Sequence, residues 1–480
     1  MDTITDILLQ IEEEHDLLSR KINDFYYWGY IRFSIDSLSR DFKQNNNVME
    51  FMRLKDYLGI FLNCTIYNPL LLKKNRKSII IINHQRRVKN GSYYECIYTD
   101  KLAEILEKDV YIMEFLNKGT HLKPTQTKNL LYMDFVNVFA VIQKHLNKGG
   151  NKKIMDQITK EVDFLYKILS SKLDININQS ELQNLIAREY YRYHYRKKWL
   201  NMILKKLQPK LIIEVVSYEI NRMIVNEIAY SKNIPVIELQ HGIIGKEHIS
   251  YNFSMKQKLP FFPTDIFVFS DFWKNTARWP IENESVHVTG FPYIENQIEK
   301  YGCTSKNKNT LNILIISQPL YGKVLSELAI SLYKELSRYN TEFKIIYKLH
   351  PEEYMNWEIA YKELSVNREK IEVVCRNEHS IYHYFNICNI QVGAISTALF
   401  EGIAFNLKTY ILKTRESEIY MQDLVKSNLA LLISNANQMI EDLLQLKNKA
   451  DIDVDINYFW EKDALTNVLL EIDNILKKYS

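Results

Sequence analysis

The chain has 480 residues, 46% hydrophobic and 25% charged, the balance of a folded protein too long for one ordinary core. Its 62 lysines and arginines face 58 aspartates and glutamates, and a net charge of +4 argues against a nucleic-acid partner. Five scattered cysteines (Cys64, Cys96, Cys303, Cys375, Cys388) form no CxxC pair, so neither a disulfide framework nor a cysteine metal site is expected, and a reducing cytoplasm is.

The opening segment MDTITDILLQIEEEHDLL is acidic and amphipathic, without the basic-then-apolar order of a secretory signal. No run approaches the roughly 18 apolar residues of a spanning helix, so the expected location is cytoplasmic, extending to the inner face of the membrane. Residues 3–58 read as helical from apolar positions three and four apart. Within them NDFYYWGYIRFSIDSL is crowded with aromatic rings, and it suits either a core-packed helix or an interfacial patch near a lipid-linked acceptor.

Strand signals begin with KSIIIIN at 77–83, an unbroken β-branched run fit for burial on both faces. Residues 109–114 and 129–134 follow as strands, and 135–207 read as mostly helical. Further strands are expected at 210–218, 235–242, 265–270 and 285–292, alternating with helices, which implies a parallel sheet covered on both sides. A polar linker is expected over 293–310, after which the rhythm restarts with strands at 311–317, 342–349, 371–375, 390–392 and 408–412. Helices are expected around 325–339 and 381–385, from Ser396, and over 458–478, the last reaching back to the first unit. The sequence thus encodes two doubly wound α/β units in tandem.

Open parallel sheets bind ligands at the carboxyl ends of their strands, and two facing units would share a cleft there. Five polar clusters fall at such ends. QPLYG at 318–322 begins with Gln318, and its glycine lets backbone N–H groups approach a phosphate or simply makes a strand-to-helix turn. KLHPEE at 348–353 puts Lys348 and His350 on one side of a chain that Pro351 keeps extended; a cation beside an imidazole suits a phosphate, and a turn-capping histidine is the other reading. In 392–412 Gly393 ends a strand, Ser396 and Thr397 open a helix fit for phosphate, and Glu401 follows one turn later to accept ribose hydroxyls. ELQHGIIGKEH at 238–248 brings Gln240 and His241 to a first-unit strand end, where an imidazole can deprotonate an acceptor hydroxyl or serve a structural role. NHQRRVKNG at 83–91 offers His84, Arg86 and Arg87 to an anionic acceptor or donor carboxylate, or forms a solvated charge run. No DxD pair stands at a strand end, so no metal site is expected.

Taken in order, His241-Gly242, Thr-Gly-Phe-Pro at 289–292, Leu-His-Pro at 349–351 and Ser396-Thr397 with Glu401 resemble bacterial glycosyltransferases of capsule and surface-polysaccharide synthesis, over about 84–412. The plan is similar to that of Kdo transferases and bacterial sialyltransferases, in which a His-Pro pair and a serine-rich helix start bind the CMP phosphate. Their acidic base position is occupied here by Gln240, His241 and Gly242. It is also similar to that of teichoic-acid polymerases, although their Asp-Tyr-Ser-Ser run is absent before Ala398.

The resemblance implies a GT-B chain: a helical extension at 1–58, an acceptor-side Rossmann-like domain at 59–300 and a nucleotide-sugar-binding one at 301–480. The expected activity is transfer of a sugar, CMP-activated and acidic in the sialyltransferase-like case, to a surface polysaccharide or lipid-linked glycan. Gln318, Lys348, His350, Pro351, Gly393, Ser396, Thr397 and Glu401 would hold the donor. His241 would be the base, and His84, Arg86, Arg87 and Gln240 would meet the acceptor, with no cofactor besides the donor. A CDP-glycerol-type transferase, a non-catalytic nucleotide-sugar scaffold and a nucleotide-sugar epimerase are the alternatives.

Overall fold

Runs of isoleucine, valine and leucine become the interior strands of two parallel sheets. The computed structural model describes residues 3–40, 54–72, 77–84, 87–116, 119–146, 152–173, 177–302, 310–376, 378–445 and 458–479. They fall into two compact units, Met1–Phe291 with Asp463–Ser480, and Pro292–Lys462.

The first unit contains β1 (Ile79–Ile82), the hairpin β2 (Val88–Asn90) and β3 (Tyr93–Glu95), β4 (Val110–Glu114), β5 (Leu130–Tyr132), β6 (Leu211–Val215), β7 (Val236–Leu239), β8 (Asp265–Val268) and β9 (Val286–Val288). Seven of these form a parallel sheet in the order β5-β4-β1-β6-β7-β8-β9. β1 is buried at all four positions, as its unbroken isoleucines require. One face of the sheet packs against Leu102, Ala103 and the C-terminal helix Ala464–Lys478, through Val468, Ile472 and Ile475.

The helical extension is not one continuous element. Left-handed backbone at Asp16 and Asn23 interrupts it between helices Ile4–Glu14 and Tyr27–Ser39. Its aromatic segment is core: Phe25, Tyr27 and Trp28 are fully buried, so the interfacial reading of these rings is corrected. Arg32 explains why the segment turns inward. Its guanidinium bonds Glu12 and the carbonyls of Ile249 and Asn252, so the second helix grips the chain that follows β7. Arg40 does the same through Asp36, Thr5 and Glu247.

The second unit holds β10 (Leu311–Ile316), β11 (Phe343–Lys348), β12 (Glu372–Val374), β13 (Ile390–Gly393), β14 (Lys408–Leu412) and β15 (Ala430–Ile433), all parallel, in the order β12-β11-β10-β13-β14-β15. Helices Gly322–Leu336 and Ala436–Gln445 cover one face. The expected linker is helical in its first part: Pro292, pre-set for a first helical position, opens Pro292–Tyr301, and Ile294 is buried. The remainder, 303–309, lies outside the described residues.

Candidate functional site

The first sheet reverses its direction of growth between β1 and β6, the point at which open α/β sheets present a ligand crevice. There β1 delivers Asn83 and His84, β6 delivers Ser217 and Tyr218, and β7 delivers Gln240 and His241. The rings of His84 and His241 stack with centroids 6.2 Å apart. Tyr98 closes on His84 at 5.4 Å and donates its hydroxyl to the His241 carbonyl at 2.7 Å. Asn83 fixes the root of His84: its carbonyl accepts from Arg222 at 2.7 Å, and its amide donates to Glu114 at 3.3 Å.

A tyrosine–carboxylate pair orients the His241 ring. Tyr251 donates its hydroxyl to Glu238 Oε1 at 2.6 Å, and the Ser217 N–H donates to the same oxygen at 3.1 Å. Burial raises the Glu238 carboxyl above its ordinary range, but in either protonation state Oε1 remains the acceptor. With its proton committed to Glu238, Tyr251 meets His241 Nδ1 as an acceptor at 3.4 Å. The ring proton therefore belongs on Nδ1 and the lone pair on Nε2, which faces the Tyr218 hydroxyl at 3.3 Å.

Backbone strain marks the same spot. Val216, just past β6, has φ 64°, a left-handed conformation that a β-branched side chain resists at about 1–3 kcal/mol. That turn aims the Ser217 N–H at Glu238 and brings Tyr218 to His241.

The other acceptor-side candidates have different surroundings. Gln240 is buried; its Nε2 donates to the Gly242 carbonyl at 2.8 Å, and its Oε1 accepts from Phe269 N–H at 2.8 Å, so the amide braces the loop. Arg87 is a correction to the basic-loop reading. Its side chain has no exposed surface and pairs with Glu114 at 2.7 Å and Asp100 at 2.9 Å, so its fork is spent inside the fold. Arg86 lies outside the described residues.

The second sheet switches direction between β10 and β13. Register puts Ile316 opposite Lys348 and Ile315 opposite Val392, so Lys348 and Gly393 end the two strands that flank β10 at one level, about 10 Å apart across it. Gln318 Oε1 accepts from Ile395 N–H at 3.0 Å, which straps the ends of β10 and β13 together. Ser396 caps helix Thr397–Ile403 by accepting from Ala398 N–H at 3.2 Å. Glu401, in that helix, accepts from the Tyr382 hydroxyl at 2.8 Å, and burial pushes its carboxyl up to about 7.

His350 adopts the turn-capping arrangement. Its Nδ1 accepts from Glu352 N–H at 3.3 Å, and its own N–H donates to Glu353 at 2.6 Å, closing the turn Pro351–Glu353. A neutral His350 thus carries its proton on Nε2. The glycine of QPLYG is required by packing: a Cβ on Gly322 would lie 2.0 Å from the Tyr361 hydroxyl and 2.3 Å from Glu353 Oε1.

Lys348 is the electrostatic anomaly of this unit. It is 9% exposed, no carboxylate pairs with it among the described residues, and the Tyr384 ring lies 5.6 Å from Nζ. Burial alone pushes its ammonium down to about 8. Helix Ile381–Ile387 therefore brings Tyr384 to Lys348 and Tyr382 to Glu401, two contacts that the sequence reading did not assign. Glu238, Tyr251, Tyr218 and Tyr98 were likewise missed around His241. Glu238 sits inside the quoted ELQHG motif, so a buried carboxyl on an all-apolar strand was the available signal.

No protein-family model matches the chain, and no curated protein does. Among solved structures it is similar to a putative UDP-N-acetylglucosamine 2-epimerase from Listeria monocytogenes, at 11% identity and TM-score 0.51, covering 84% of this chain and 97% of that one. It is also similar to MurG from Acinetobacter baumannii, at 11% identity and TM-score 0.47 over 83% of this chain and 99% of that one. The wall teichoic acid polymerase TagF aligns at 11% identity and TM-score 0.44, over 88% and 97%. The Listeria likeness shows the fold alone: two Rossmann-like parts with parallel sheets.

Proposed function

We propose that the chain is a glycosyltransferase that moves a sugar from a nucleotide donor to a surface polysaccharide or lipid-linked glycan. The observation that carries this reading is Lys348, a buried ammonium without a carboxylate partner among the described residues, at the switch point of the second sheet. A cation desolvated without a counter-charge is costly unless an anion arrives, and the phosphate of a nucleotide is the anion such sheets receive. The second unit then holds the donor through Lys348, Gln318, Gly393, Ser396 and Thr397. His350 adds an Nε2–H donor behind Pro351, and Glu401 takes the ribose hydroxyls. The first unit supplies His241 Nε2 to remove the proton of the acceptor hydroxyl, with His84 beside it.

In the reaction the acceptor oxygen bonds the anomeric carbon as the carbon–phosphate-oxygen bond breaks, and that electron pair leaves on the nucleotide. Lys348 stabilises the departing charge, and His241 retains the proton. Such electrostatic stabilisation is usually the largest single contribution to the rate. In the sialyltransferase-like case the donor is a CMP-activated acidic sugar. No cofactor is invoked.

The test is a thermal-shift and titration screen across CMP, CDP, UDP, GDP and dTDP, since a ligand of the folded state raises its stability. One nucleotide should shift the unfolding temperature, and Lys348→Met should weaken it about 10- to 100-fold, the worth of a charged hydrogen bond. Affinity in the parent should decline as pH rises through about 8, where Lys348 loses its proton, and should stay flat in the variant. No response from any nucleotide overturns the reading. Conversion of a nucleotide sugar without acceptor would replace transfer by epimerisation.

A further inference from the structure

A buried charge cluster in the first unit surrounds His121, in the stretch 119–128 ahead of β5. That stretch is irregular, and none of its apolar side chains is buried. Its anchor is an imidazole: the His121 side chain is 2% exposed, and its ring lies 3.8 Å from that of Tyr132 on β5. His121 Nδ1 lies 2.8 Å from Glu114 Oε1 on β4. Its Nε2 lies 2.7 Å from Oδ1 of Asp134, the residue that opens helix Asp134–Leu146.

A neutral imidazole has one N–H, so it can donate to one of these carboxylates but must turn a lone pair toward the other. Contacts this short at both nitrogens therefore require one more proton, carried by the ring or shared with a carboxyl. The surrounding charges agree. Arg87 pairs with Glu114 and Asp100. Lys123 donates to Asn63 Oδ1 at 3.3 Å and lies over Tyr67 and Tyr132, while the Asn63 amide donates to Asp134 Oδ2 at 2.9 Å. Cys64 completes the surround, its thiol pushed up to about 11 by burial and then by Asp134. With His121 charged, Arg87, His121 and Lys123 balance Asp100, Glu114 and Asp134; without the proton a negative charge is left over in the interior. Burial by itself lowers the imidazole, yet the bonds to Asp134 and Glu114 outweigh it and hold it above the ordinary 6.5.

We propose that His121 is a proton-operated latch: it fastens residues 119–128 to β4 and the Asp134 helix while the cluster holds its proton, and releases them when that proton leaves. The fastened state binds the proton more tightly than the open one. Fastening is therefore complete below about 6.5 and weakens as pH rises toward the higher value of the closed cluster, by up to about tenfold per pH unit. Release has a structural consequence, because the Pro124 carbonyl accepts from the Tyr94 N–H at 2.9 Å and so braces the β2–β3 hairpin. That hairpin leads into Tyr98, one wall of the His241 cage. The latch goes beyond the nucleotide reading and does not rest on it.

The test is proteolysis of the full chain by proteinase K between pH 6 and 9, with cuts inside 119–128 mapped by mass spectrometry. Each rate is divided by that of a free peptide covering 113–134, which removes the pH dependence of the protease itself. Cleavage tracks the open fraction when reclosing is fast. The parent should be cut slowly at pH 6 and then up to about tenfold faster per pH unit above about 6.5. Asp134→Asn should be slow and flat across the range, because its amide oxygen can keep the Asn63 donor while its NH2 donates to the lone pair of a neutral Nε2. His121→Gln should be cut fast at every pH, with an unchanged circular dichroism spectrum showing that the rest is folded. Should that variant fail to fold, the parent and Asp134→Asn decide alone. A parent rate that does not change with pH overturns the proposal. So does an Asp134→Asn variant that keeps the parent's pH dependence, or a folded His121→Gln that is cut as slowly as the parent at pH 6.

Discussion

Replacing His241 by alanine is expected to lower the rate of sugar transfer by about 10²- to 10⁴-fold, the range for removal of a positioned general base. Nucleotide affinity should be unchanged, because the groups assigned to the donor belong to the second unit. The expectation rests on the proton inventory around the ring. Glu238 takes the Tyr251 proton, Tyr251 then accepts from Nδ1, and Nε2 is left as the basic nitrogen. Tyr251→Phe keeps the aromatic cage but frees the ring to adopt either tautomer, so a smaller loss of roughly tenfold is expected, confined to the maximal rate. Glu238→Gln should lose less than Tyr251→Phe, since its amide oxygen can still accept from Tyr251. Steady-state kinetics with an acceptor glycan, once the thermal-shift screen has identified the donor base, makes the comparison. Turnover of His241→Ala within about threefold of the parent would sink the base assignment.

What the sequence made legible follows from where each signal is stored. The strands of both sheets could be read because they are buried on two faces, and an unbroken run such as IIII at 79–82 has no other use. β15 escaped because it is an edge: Leu431 is 43% exposed, and a four-residue half-buried strand looks like loop. The hairpin β2–β3 was overlooked in favour of a basic loop, although Gly91-Ser92 forms its two-residue turn and Gly91 has φ 60°. Position at a strand end drew attention to His241 and Lys348. It could not distinguish Arg87 from a free arginine, because Asp100 and Glu114 reach it only through the fold. The cage around His241 draws Tyr98, Tyr218 and Tyr251 from three separate segments, and nothing local in any of them announces the meeting.

Glu214→Gln is expected to stabilise the protein by several kcal/mol at pH 8 and by little at pH 5. Glu214 lies in the middle of the first sheet, fully buried on β6, opposite Glu238 of β7. Burial first, and the Glu238 charge after it, pushes its carboxyl up to about 8, against an ordinary value near 4.5. The folded chain therefore keeps a proton there at pH values where the unfolded chain has released it. Wherever the native state binds more protons, stability falls as pH rises, so this site weakens the fold by up to about tenfold in the folding equilibrium per pH unit between roughly 4.5 and 8. Glutamine removes the titration but preserves the acceptor for the Asn226 amide, which donates to Glu214 Oε1 at 2.9 Å. The advantage of the variant should therefore grow with pH and level off above about 8. Urea unfolding of parent and variant at pH 5, 6, 7 and 8 measures it. A stability difference that stays flat across that range would mean that Glu214 is already ionised in the folded state, and that the paired carboxyls of β6 and β7 share the sheet interior as charges.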